Sequence, residues 1–217
     1  DRGIEVAAEF NTATIAQLAQ CDRMDAVIDF SAPASLPALA AYVQRTGTPL
    51  VSGTTGYCDE EAARVNALGS YAPVAVSANF SIGVAVLKHL AAEAAALLPD
   101  FDIEIIETHH RMKKDAPSGT AKLLLSAVNP DGTHPTVFGR EGFAPRTADE
   151  IGVHAVRGGT VAGVHTVSFF GDEEELSLTH RAESRRIFAI GALKTAEKLK
   201  DAPVGLHTLD ELLFARR

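Results

Sequence analysis

The densest polar constellation in this chain is Glu107-Thr108-His109-His110-Arg111-Met112-Lys113-Lys114-Asp115-Ala116-Pro117-Ser118-Gly119-Thr120. Between His109 and Lys114 stand two histidines and three fixed cations, although the whole chain has a formal net charge of −8. This local inversion of sign suits a small anionic ligand, because a site lined by one sign attracts the other. A solvated surface loop is the plainer meaning of the same residues. Pro117-Ser118-Gly119-Thr120 precedes the helical run Ala121-Lys122-Leu123-Leu124-Leu125. A helix N-terminus presents free N–H groups and a positive dipole end, which together bind anions. Gly119 leaves the backbone open to close approach, and Thr120 adds a hydroxyl. Ser118 as an ordinary N-cap is compatible with that role. Histidine, with an unperturbed pKa of about 6.5, can act as acid or base near neutrality. A lysine can hold an anion or, if its pKa is lowered, release a proton. The stretch could therefore hold a carboxylate and move a proton.

Such groups need a frame. Ala26–Phe30, Leu50-Val51-Ser52 and Val74-Ala75-Val76 are short apolar runs about 23 residues apart. Helical patterns lie between them, through Leu36, Leu39, Ala40 and Val43 and again over Asp59–Leu68. Alternation of this kind predicts βαβ units around a parallel sheet. Ligands of such sheets bind beyond the C-terminal strand ends, where Phe30–Ser35, Gly53–Tyr57 and Ser77–Ser81 converge. A long helix follows over Ile82–Leu98. The second half reads as strands at Ile103–Glu107, Thr136–Phe138, Gly152–Val156, Val164–Phe170 and Leu176–Thr179, with a helix from Ser118 to about Val128. Alternation in His165–Phe169 predicts an antiparallel or mixed sheet with one half-buried face. An amphipathic helix over Ile187–Leu199 closes the pattern. Two domains result: 1–80 together with a returning segment 185–217, and 81–184. The sequence opens on Asp1-Arg2-Gly3, not Met, and a helical pattern follows almost at once, so the natural N-terminus is expected upstream.

Composition narrows the classes. At 217 residues, 46% hydrophobic and 22% charged, the chain has ordinary globular composition. Twenty basic against 28 acidic residues argue against nucleic-acid binding. Lys88, His89 and Glu93 interrupt the most apolar stretch, so no membrane span is expected. The only two cysteines, Cys21 and Cys58, form neither a disulfide framework nor a metal motif, and neither resembles a catalytic nucleophile. The remaining histidines form no metal-binding pattern, so no metal is expected. A cytoplasmic protein is the default.

The polar stretch resembles the signature of the dihydrodipicolinate reductases, also called 4-hydroxy-tetrahydrodipicolinate reductases, of lysine and diaminopimelate biosynthesis. The resemblance extends to Val-Ile-Asp-Phe-Ser at 27–31, Gly-Thr-Thr-Gly at 53–56 and Ala-Asn-Phe-Ser-Ile-Gly-Val at 78–84. It continues through His-Ala-Val-Arg-Gly-Gly at 154–159 and Ser-Arg-Arg-Ile-Phe-Ala at 184–189. It implies a Rossmann-like α/β cofactor domain and an α+β mixed-sheet domain for substrate binding and oligomerisation. It also implies hydride transfer from NADH or NADPH to a cyclic imine dicarboxylate. By position, His109 resembles the catalytic proton donor and acceptor, and Lys113 the lysine that assists protonation and holds the substrate. His110, Gly119 and Thr120 match substrate-binding positions. Gly53, Thr54, Thr55, Ser77, Ala78, Asn79 and Phe80 resemble cofactor-contacting loops. Asp1 and Arg2 resemble the pair that meets the adenosine ribose. Relatives assemble as homotetramers through their mixed sheets.

Two departures stand out. The family's glycine-rich pyrophosphate loop occurs nowhere in this sequence; its strand, loop and helix would add roughly 30 residues upstream, the size of one βαβ unit. Val164 stands where relatives usually carry Glu. The alternative to the reductase is therefore a truncated, non-catalytic chain that binds a dicarboxylate without holding the cofactor.

Overall fold

The computed structural model describes residues 3–214. Asp1 and Arg2, the pair expected at the ribose, lie outside the described residues. In chain order the first elements are β1 (Val27–Asp29), α1 (Leu36–Thr46), β2 (Leu50–Ser52), α2 (Asp59–Ala67) and β3 (Pro73–Val76). Next come α3 (Ile82–Leu97), β4 (Asp102–His109), α4 (Gly119–Val128), β5 (Thr136–Val137), β6 (Ile151–Arg157), β7 (Gly163–Gly171) and β8 (Glu174–Ala182). The last are α5 (Arg186–Leu199), β9 (Gly205–Leu206) and α6 (Leu209–Phe214). The elements form two compact units: one joins residues up to Phe80 with those from Ile190 on, and the other is Ser81–Ala189.

In the first unit, β1, β2, β3 and β9 form a parallel sheet in that order. Adjacent residues of one strand face opposite sides. Leu50 and Val74 pack with Leu36, Leu39, Tyr42 and Val43 of α1. Val51 and Ala75 pack with Ala192, Ala196 and Leu199 of α5 on the other side. Both faces are covered, which is why these strands read as unbroken apolar runs. Each fully buried Leu or Val contributes about 1.5–3 kcal/mol relative to exposure. Gly47 ends α1 at φ +65°, a left-handed conformation that favours glycine, and its N–H donates to Val43 O at 2.9 Å.

The expected helical start is not an α-helix. Residues 4–11 carry no regular structure, and a 3₁₀ helix runs Ile15–Gln20. Asn11 Oδ1 accepts the Ala13 N–H at 2.9 Å, and Thr14 Oγ1 accepts the Asn11 N–H at 2.9 Å. Such local side-chain bonds compete with helix formation.

In the second unit the sheet order is β5-β6-β4-β7-β8, with β4 parallel to β6 and antiparallel to β7. Ile105, Val153, Val167 and Phe169 face α3 and α4, packing with Leu87, Ala91, Ala121 and Leu124. The opposite face carries exposed Ile106, Val156 and Phe170. Beside it, Arg140 and Arg146 converge on Glu104, tying the irregular segment before β6 to β4. No helix among the described residues is long and apolar enough to cross a membrane.

Candidate active site

His109 ends β4, and alternation along the strand puts it on the same face as Glu107. Glu107 is wholly buried, at 0% exposure, and His109 is 8% exposed. The Nδ1 of His109 is hydrogen-bonded to Glu107 Oε2. Arg157, at the end of β6, grips the same carboxylate with both arms: Nη1 donates to Oε2 and Nη2 to Oε1, each at 2.9 Å. The Ser118 N–H also donates to Oε1 at 3.0 Å. Burial works against the charged carboxylate, but the bonds from Arg157, His109 and Ser118 outweigh it and hold Glu107 below its ordinary value.

His165 sits opposite Glu107 in the β4–β7 register, and its ring meets that of His109 edge-on with centroids 5.1 Å apart. Its Nε2 lies 3.2 Å from Ser118 Oγ, which also accepts the Ala121 N–H at 3.1 Å as the N-cap of α4. Burial, followed by the neighbouring His109, pushes the pKa of His165 down to about 4. It is therefore a neutral ring at pH 7. Gly163 backs onto the pair: a methyl there would lie 3.2 Å from His109 Nε2.

The basic loop is pinned by the backbone. Gly158 N–H donates to His109 O at 2.9 Å, Arg111 N–H to Gly159 O at 3.2 Å, and Lys113 N–H to His110 O at 3.1 Å. Lys113 Nζ donates to both Asp115 carboxylate oxygens, at 2.8 and 3.0 Å. The bond from Lys113 in turn holds the Asp115 carboxyl below its ordinary value. Part of the positive charge read from the sequence is thus neutralised within the loop. At the N-terminus of α4, a methyl on Gly119 would meet nothing within 4 Å, so the approach to the helix end is open. Thr120 follows in the first turn. The arrangement can receive a carboxylate at the helix end and exchange a proton at His109.

In the first unit, the loops after β1, β2 and β3 carry the other expected residues. Asp29 is buried and accepts from Thr54 Oγ1 at 2.7 Å, Ser52 Oγ at 3.3 Å and the Ser31 N–H at 3.2 Å, while Ser31 N–H also donates to Thr54 Oγ1 at 3.0 Å. The Gly53 N–H donates to Asp29 O at 2.7 Å. A methyl on Gly53 would come within 2.3 Å of the half-exposed Phe30 ring, so the backbone there is bare beside an aromatic face. Thr55 is exposed. Ser77 Oγ donates to Asn79 O at 2.8 Å and accepts the Asn79 N–H at 3.1 Å, turning the chain at Ala78. Phe80 is buried, with its ring centroid 5.9 Å from that of Phe30. The Phe30 ring thus takes the space a Cβ at residue 53 would need, and a half-exposed aromatic ring beside exposed Thr55 is a lining chemically suited to a flat ring with polar edges.

Sequence reasoning placed His109, His110, Lys113, Gly119 and Thr120 in one unit and the two glycine and asparagine loops in the other. It missed Glu107, Arg157 and His165 as parts of the site. The signal for Glu107 was its two-residue spacing from His109 on one strand. For Arg157 and His165 the signal lies in strand register.

Family models match both parts of the chain: "Dihydrodipicolinate reductase, N-terminus" over residues 3–80 and "Dihydrodipicolinate reductase, C-terminus" over residues 83–213. A 4-hydroxy-tetrahydrodipicolinate reductase of an Exiguobacterium strain is 45% identical over 190 residues, covering 87% of this chain and 76% of that protein. One from Methanococcoides burtonii is 42% identical over 206 residues, covering 94% and 78%. Among solved structures, the dipicolinate-bound dihydrodipicolinate reductase of Paenisporosarcina sp. TG-14 matches with a TM-score of 0.72 at 26% identity, covering 88% of this chain and 74% of that one.

Proposed function

This chain belongs to the dihydrodipicolinate reductase family, and on that premise we propose roles for the groups assembled above. The reaction is the NAD(P)H-dependent reduction of 4-hydroxy-tetrahydrodipicolinate to tetrahydrodipicolinate in lysine and diaminopimelate biosynthesis. Overall, one hydride and one proton are added, and the 4-hydroxyl leaves as water. Bound NADH or NADPH supplies the hydride. Everything else falls to the protein.

His109 gives the proton to the electron-rich ring that hydride addition leaves behind. Lys113 holds one substrate carboxylate and assists that protonation, exchanging its contact with Asp115 for one with the ligand. The N–H groups at Gly119 and Thr120 hold the other carboxylate, and His110 adds a third polar contact. A cyclic dicarboxylate needs two anion sites, and the basic loop and the helix end supply them. The observation that carries this reading is an open helix N-terminus whose N-cap backbone shares a carboxylate with the buried histidine. Gly53, Thr54, Thr55, Ser77, Ala78, Asn79 and Phe80 form the cofactor cradle, in a Rossmann-like dinucleotide-binding domain built on residues 1–80 and the C-terminal return. The second unit is the substrate and oligomerisation domain. Its exposed Ile106, Val156 and Phe170, on the sheet face opposite α3 and α4, support a homotetramer. The working compartment is the cytoplasm. No observation favours the non-catalytic, binding-only reading.

The solved relative carries dipicolinate, a planar dicarboxylate. In this chain, dipicolinate is expected to inhibit competitively against the cyclic substrate, and Lys113→Ala to raise its inhibition constant by about tenfold, the loss of one charge-assisted bond. Steady-state inhibition kinetics would decide it. Inhibition that is non-competitive, or indifferent to Lys113, contradicts the placement.

A further inference from the structure

The Glu107 carboxylate has four filled acceptor positions. Ser118 N–H and Arg157 Nη2 share Oε1, while Arg157 Nη1 and His109 Nδ1 share Oε2. An ionised carboxylate accepts and never donates. The hydrogen between Oε2 and His109 therefore belongs to the imidazole, at Nδ1. We propose that Glu107, clamped by Arg157, is the positioning residue that holds the Nδ1 hydrogen of His109, so that Nε2 takes up a proton from solvent and gives it to the substrate ring, returning the imidazole to its neutral, Nδ1-protonated form. The inference rests on His109 being the proton donor.

The clamp matters as much as the charge. Arg157 fixes both oxygens in plane, and its Nη2 also donates to Asp115 O at 2.8 Å, so strand, loop and helix end share one guanidinium. Around His109 stand Glu107 on β4, Arg157 on β6 and His165 on β7, with Lys113 and Asp115 on the loop. Of these, only Glu107 touches Nδ1 among the hydrogen bonds described. Its charge is largely balanced by Arg157, so its work is orientation and tautomer choice.

Glu107→Gln isolates that role, because the amide keeps the volume. Its NH₂ cannot occupy the Oε1 position, where two donors converge. At the Oε2 position it faces Arg157 Nη1 and His109 Nδ1, and of these only the imidazole can turn acceptor. Neutral His109 then carries its hydrogen on Nε2, and the doubly protonated ring that gives up its Nε2 proton loses its partner at Nδ1. In the intact chain with ¹⁵N-labelled histidine, ring-nitrogen NMR is expected to show neutral wild-type His109 protonated at Nδ1 and the Glu107→Gln ring protonated at Nε2. Turnover is expected to fall about 10²- to 10⁴-fold with little change in substrate KM. Glu107→Asp, which restores the charge, is expected to restore the Nδ1 tautomer and part of the turnover. An Nε2-protonated ring in the wild type overturns the proposal without any variant. So does an unchanged tautomer or near-wild-type turnover in Glu107→Gln. His109→Ala, measured in parallel, separates the two ideas: full turnover there sinks the assignment of His109 as donor, while the tautomer spectra still judge Glu107.

Discussion

Replacing His109 by alanine is expected to lower kcat by about 10²- to 10⁴-fold, the usual contribution of a positioned acid or base. The fold should survive, because Glu107 keeps three of its four hydrogen bonds, to Arg157 and the Ser118 N–H. Cofactor affinity should also hold, since the loops at 53–55 and 77–80 are built within the other unit. Lys113→Ala acts differently. It removes a cation that meets the substrate and also leaves Asp115 uncompensated in the same loop. A free carboxylate there repels a dicarboxylate, so substrate KM should rise as kcat falls. Steady-state kinetics with a parallel NADH fluorescence titration separate the effects. Wild-type turnover in both variants, or loss of cofactor binding in either, contradicts the assignment.

The second large effect concerns acid stability. His165 is 4% exposed, and its pKa lies at about 4 in the folded chain, against about 6.5 when unfolded. Between those values the unfolded state binds the proton and the folded state does not. Stability therefore rises with pH across this window and is lost as pH falls from about 6.5 to about 4. The shift of roughly 2.5 units corresponds to about 3 kcal/mol. His165→Asn keeps a polar group near Ser118 but cannot titrate. Urea unfolding at pH 7 and pH 4.5 is expected to show the wild type losing about 2–3 kcal/mol more than the variant over that interval. Parallel losses in the two proteins contradict the buried, neutral ring.

The parallel sheet was legible because Leu50–Ser52 and Pro73–Val76 are covered on both faces and Val27–Asp29, which exposes Ile28, is still a short run punctuated by polar loops. The N-terminus of α4 was legible from Pro-Ser-Gly-Thr, and Ser118 does cap it. The partners of His109 were not. Arg157 lies 50 positions from Glu107 and meets it only because β4 and β6 pair in parallel, with His109 opposite Arg157. His165 reaches the site through the antiparallel β4–β7 register. Register is a property of the folded sheet, and a one-residue slip would put both side chains on the other face. The pairing of Lys113 with Asp115 was hidden for another reason, since adjacent opposite charges can equally point apart into water. Two-residue β9 is too short to show any period.

The most direct test of the account is oxidation of NADH and NADPH, followed at the nicotinamide absorbance band, with 4-hydroxy-tetrahydrodipicolinate generated in place by the synthase that precedes it. Rapid oxidation that depends on the substrate is the predicted result, and the ratio of the two rates gives the cofactor preference. No oxidation, with the substrate shown to be present, would contradict the reductase and leave a dicarboxylate-binding chain.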